Sequence, residues 1–144
     1  MAASISHFSW DEDRCPFQDE LKELSRIDRY WVWLNSKTPV DHAEFIVPLQ
    51  RDYHVVKLQT PEDADYEAKY MKHSIGFNWW HYSSLGNIYS IRSSSNIPIM
   101  TCLVAHDEIL QARILDNALP GDYEYELLRQ FANVLGFQFD SQKN

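Results

Sequence analysis

Between Asn87 and Leu115 the chain runs three strand-like segments through two short turns, and this spacing constrains the fold more than any other feature. The segments are Asn87 to Arg92, Ile97 to Val104 and Ile109 to Leu115, joined by Ser93 to Asn96 and by Ala105-His106-Asp107-Glu108. Connections this short require antiparallel neighbours. Pro98 has no N–H for a ladder, so it belongs near the start of its strand or on an outward side. The expected centre of the fold is therefore an antiparallel β-meander.

Helical patterns surround it. From Asp19 to Leu34, apolar residues Leu21, Leu24, Ile27, Trp31 and Leu34 recur at steps of three and four, the signature of one buried helix face. Asn35 to Pro39 stops that helix. Val40 to Gln50 stays open between a strand and a short helix, while Tyr53 to Leu58, with Val55 and Val56, reads as a strand. Thr60-Pro61-Glu62-Asp63 combines an N-cap, a first-position proline and a capping-box acid. The helix it opens runs to about Lys72, with a narrow stripe of Ala64, Ala68 and Met71. Gly76 suits a left-handed cap or tight turn after it. A last helix begins near Asp122, the candidate N-cap, and carries Leu127, Leu128, Phe131, Val134 and Leu135 on its buried face. Gly136 ends it, and Phe137 and Phe139 fold back.

The expected class is α+β: a meander of three to four strands packed on one face by about three helices. At 144 residues one domain suffices. Residues 1–17 read as a mobile acidic arm, 18–140 as the domain and 141–144 as a frayed tail. A net charge of −8 with scattered Lys and Arg argues against nucleic-acid binding. No apolar run has the length of a membrane span, and the N-terminus has no signal-peptide pattern, so the expected compartment is the cytoplasm. Cys15 and Cys102 give neither a disulfide framework nor a zinc spacing, and a single bridge between them stays open.

From Val55 to Phe131 the sequence resembles the PcfJ-like family of conjugative plasmids and bacteriophages. The resemblance rests on Met71-Lys72-His73-Ser74-Ile75-Gly76, on Ile88-Tyr89-Ser90-Ile91-Arg92, on Pro98 before Thr101-Cys102-Leu103, on Gln111 in the third strand and on Asn117 in the following loop. Family members usually carry Cys where this chain has Ser74 and Glu where it has Leu103. The resemblance brings no reaction with it. It implies a plasmid or phage origin and a protein acting on a host component.

Two constellations follow from these residues. His73, Arg92, Thr101, Gln111 and Asn117 converge on paper into a polar pocket for an anionic or amide-bearing ligand. Arg92 would be the fork-shaped donor and His73 the acid, base or donor. The competing reading is a satisfied polar cluster that fixes the helix-to-sheet junction, since buried polar groups must be paired either way. Trp79, Trp80, Tyr82 and Trp33 are candidate partner-binding aromatics. Adjacent Trp79 and Trp80 cannot both face one core, so one of them belongs at the surface or in a groove.

No Gly-rich phosphate loop, no metal-ligand spacing and no cofactor motif is present. A nucleophile needs an adjacent base, and Ser74 and His73, as sequence neighbours, point apart on extended backbone. The leading expectation is a phage- or plasmid-encoded accessory protein that binds and modulates a bacterial host protein. The alternative is an enzyme or ligand-binding protein with a pocket around His73, Arg92 and Gln111, acting on a nucleotide or acyl-type ligand.

Overall fold

The computed structural model describes residues 25–139, so the expected arm and tail, Cys15 and the start of the first expected helix lie outside the described residues. In chain order the elements are α1 (Arg26–Asn35), β1 (Glu44–Pro48), β2 (His54–Leu58), α2 (Pro61–Met71), α3 (Trp79–Leu85), β3 (Asn87–Arg92), β4 (Pro98–Ala105), β5 (Glu108–Arg113) and α4 (Asp122–Leu135). Short 3-10 turns at Gln50–Asp52 and Leu115–Asn117 join some of them. The class is α+β.

The sheet has five antiparallel strands in the order β1-β2-β3-β4-β5, rather than three to four. The additional strand is β1, from the segment left open by sequence. A bulge between Phe45 and Val47 breaks its alternation, and it ends on Pro48. Such features suit an edge strand, because they blunt further pairing. The β4–β5 connection is a two-residue hairpin in which His106 and Asp107 both have positive φ, as a type I′ turn requires.

Helices cover both faces of the sheet, not one. Neighbouring residues split between the faces, as the strand period of two dictates. Val56, Leu58, Ile88 and Leu103 pack under α1, α2 and α3. Val55, Ile91, Cys102 and Val104 pack on Leu127, Leu128 and Phe131 of α4. Val134, expected on the buried face of α4, is exposed. After Gly136 the chain folds back as expected: Phe137 meets Tyr89 and Phe131, and Ile109 N–H donates to Gln138 O at 2.9 Å.

The helix α2 lies so deep that three acids on it, Asp63, Asp65 and Glu67, are fully buried beside Ala64, Ala68 and Met71. Buried carboxylates need partners, and each faces a different neighbour. Asp63 completes the capping box with Thr60 and also accepts from the backbone N–H of Gln59 and His42, at 2.8 and 2.6 Å. Asp65 accepts from Tyr30 Oη at 2.7 Å, tying α2 to α1. Glu67 points at the sheet.

The helix α2 ends on Lys72, which itself takes the left-handed conformation expected of Gly76. Gly76 is needed for another reason. A Cβ there would lie 2.0 Å from Tyr30 Oη and 2.6 Å from Asp65 Oδ1, so the loop passes too close to that pair for any side chain.

Burial raises Asp65 from its ordinary 3.8 to about 7, against the opposing pull of the Tyr30 hydrogen bond. Its other oxygen is buried with no hydrogen-bond partner among the described residues. Folded protein therefore keeps a proton that the unfolded chain releases above 3.8. The associated stability is complete below 3.8 and is lost as pH rises through about 7. Asp65→Asn removes this titration, so the melting temperature of the variant relative to the parent should climb between about pH 4 and pH 7 and level off above that. A difference that stays flat with pH would show that Asp65 is ionised throughout.

Candidate functional site

The site forms where α2 leaves the sheet. The loop after α2 carries His73, Ser74 and Ile75 across the middle of β4. On the same sheet face, Thr101 lies opposite Arg113 and Leu103 opposite Gln111. The Leu115–Asn117 turn closes the third side. It is held by Ile114 N–H to Ala118 O at 2.9 Å, and Asp116 and Asn117 both have positive φ. Asp and Asn accept that conformation more readily than most residues. Together these elements, with Tyr82 of α3, enclose a half-open pocket with a cavity volume of about 50 Å³. That is room for roughly three to five waters, at 10–15 Å³ for each probe-sized position.

Four of the five expected pocket residues, His73, Thr101, Gln111 and Asn117, line this cavity. Arg92 does not. It is completely buried behind the pocket, with Nη1 2.7 Å from Asp41 Oδ2 and Nη2 3.1 Å from Glu67 Oε1. Its Nε donates to Ser90 Oγ at 3.2 Å, and its guanidinium also lies over the Tyr66 ring. A guanidinium with its fork filled by two carboxylates has nothing left for a ligand, so the expected donor role of Arg92 is corrected to a structural one.

The floor of the pocket is a directed chain of hydrogen bonds. Ile75 N–H donates to His73 Nδ1 at 3.4 Å, which leaves the ring proton on Nε2. His73 Nε2 donates to Thr101 Oγ1 at 2.9 Å, and Thr101 Oγ1 donates to Glu67 Oε2 at 2.6 Å. Glu67 then meets Arg92. Both nitrogens of His73 are thus engaged, and burial lowers it to about 4, so the imidazole is neutral. Burial also pushes Glu67 upwards, opposed first by Arg92 and then by the Thr101 hydroxyl. This segment is the satisfied polar cluster that competed with the ligand reading. It holds the α2–sheet junction and supplies a rigid floor.

The walls differ from the floor. Arg113, which the sequence reading did not select, lines the pocket, and its Nη1 donates to Ala112 O at 2.9 Å. Among the described residues no carboxylate pairs with it. Among the described residues no acidic side chain lines the cavity. Gln111 and Asn117, both exposed, flank it, and Ile75, Ile88 and Leu103 give an apolar wall. The signal for Arg113 was present in the sequence: it stands two residues beyond Gln111 on one strand and so shares its face.

Ser74 and Cys102 also line the pocket. Ser74 Oγ accepts from Asn78 Nδ2 at 3.1 Å and has no hydrogen bond to His73. The Cys102 thiol is fully buried, and burial, with the Glu67 charge, raises it far above its ordinary value. The geometry pairs neither with a base. Among the described residues no group of three His, Cys, Asp or Glu side chains is placed to hold a metal ion. Among the described residues no helix is long and apolar enough to cross a membrane.

The expected partner-binding aromatics separate. Trp33 and Trp79 are buried in the core with Tyr30 and Leu34. Their burial is the physical reason they cannot serve as surface anchors. Trp80 sits at the surface with 36% of its area exposed, and Tyr82 lines the pocket. The adjacent tryptophans thus divide between core and surface.

Compared with protein-family models, curated proteins and solved structures, the chain matches none of them.

Proposed function

We propose that the domain binds a small polar ligand in the pocket bounded by His73, Thr101, Gln111, Arg113 and Asn117. The observation that carries this reading is the contrast between floor and walls. The floor groups are saturated by one another. Arg113 lines the cavity with no carboxylate partner among the described residues, beside two exposed amides, in a chain of net charge −8. A cation left without a counter-charge in an acidic protein suits an anionic or strongly polar guest. Recognition rather than turnover fits the site, because neither Ser74 nor Cys102 has a base. The resemblance to the PcfJ-like family supports an origin on a plasmid or phage and a place of action in the cytoplasm of a bacterial cell. Capture of a host protein is less supported by the geometry, since two of its four proposed anchors are core residues.

The test is a thermal-shift panel of small anions, amides, nucleotides and short acyl compounds. At least one should raise the melting temperature of the parent protein, and Arg113→Gln should lose that rise. Arg113 is only half-buried and its variant should keep parental stability within about 0.5 kcal/mol, as surface changes usually do. A rise retained in full by Arg113→Gln would contradict the assignment.

A further inference from the structure

We propose that the ligand is a monocarboxylate with a short apolar tail, an inference that rests on the pocket reading above. Charge sets the first limit. The cavity offers one cation, Arg113, because His73 is held neutral by its two hydrogen bonds. Glu67 stands one hydroxyl behind the floor, its charge already shared with Arg92. A dianion would need a second cation or a cluster of backbone amides, and it would face the Glu67 carboxylate at short range. A monoanion matches the single guanidinium.

Shape sets the second limit. The planar fork of Arg113 suits the two oxygens of a carboxylate. Gln111 and Asn117, each with a side-chain amide, line the same rim. The cavity of about 50 Å³ limits the enclosed guest to a few heavy atoms, a head of this size and a short tail. Polarity sets the third. Ile75, Ile88 and Leu103 form a wall with no polar atom to offer, which suits methyl and methylene groups. The half-open mouth lets a longer tail leave towards solvent. A free short-chain acid and the C-terminus of a peptide share this chemistry.

Calorimetric titration of the full chain distinguishes the cases with five probes: acetate, butyrate, butyramide, inorganic phosphate and N-acetyl-alanine. Butyrate should bind several-fold more tightly than acetate, because its extra methylenes meet the apolar wall. Butyramide, nearly isosteric but neutral, should bind about tenfold or more weakly, as should butyrate to Arg113→Gln. Arg113→Lys, which keeps the charge and loses the fork, should fall between. N-acetyl-alanine binding more tightly than butyrate would assign the carboxylate to a chain terminus, and the reverse order to a free acid. Phosphate binding more tightly than butyrate, with the same loss in Arg113→Gln, would overturn the carboxylate while leaving the pocket assignment standing. Butyrate binding that ignores both Arg113 variants would overturn the carboxylate site. Binding of none of the probes, together with no response in the wider panel, would overturn both readings.

Discussion

Arg92→Ala should destabilise the domain by roughly 3–5 kcal/mol, the usual consequence of removing one partner from a buried ion pair. Among the described residues Arg92 is the largest fully buried side chain and the only cation that meets Glu67 and Asp41. Without it, Glu67 is left in a dry interior with only hydroxyl partners. Urea denaturation should show a midpoint far below the parent's. Neutralising the stranded acid should recover part of the loss, so Arg92→Ala/Glu67→Gln should be more stable than Arg92→Ala alone. A loss under about 1 kcal/mol, the range of exposed pairs, would mean that water reaches the network and that Arg92 is open to a ligand after all.

Gly76→Ala should cost about 3 kcal/mol or more, at the upper end of overpacking effects. The added methyl would lie 2.0 Å from Tyr30 Oη, a distance that forces either the ring or the loop to move. Moving the ring breaks the Tyr30–Asp65 hydrogen bond between α1 and α2. Moving the loop displaces Ile75 and with it the N–H that fixes the His73 tautomer. The double variant Tyr30→Phe/Gly76→Ala removes the nearer of the two obstructing oxygens and leaves Asp65 Oδ1. It should therefore be more stable than the sum of the single changes predicts, with a coupling of about 1 kcal/mol or more, as contacting residues show. Strict additivity would place the clash elsewhere.

Much of this fold is legible from local pattern. The capping box at Thr60 and the meander of β3, β4 and β5 depend on nearby residues, and the structure places them as the sequence suggests. The edge strand β1 was not legible, because its bulge erases the alternation that marks a strand. Nor was the second helical layer, since one amphipathic helix does not say which sheet face it covers. The role of Gly76 was hidden for the same reason: Tyr30 and Asp65 reach it from distant positions. At the site, strand alternation brought Thr101, Gln111 and Arg113 within reach of inference. The burial of Glu67 against Arg92 was invisible, because acids on a helix usually face solvent, and no local pattern joins the half-buried loop residue Asp41 to Arg92. That unseen pairing turned the expected ligand-binding arginine into a structural one and left Arg113 as the cation at the pocket.

The most direct test of the central claim is a map of backbone-amide shifts in isotope-labelled protein titrated with butyrate. The largest shifts should fall on Gln111, Arg113 and Asn117 and on the loop from His73 to Ile75, and they should vanish in Arg113→Gln. Shifts centred instead on the open groove of Phe45, Leu49 and Tyr53, or spread evenly over the domain, would contradict it.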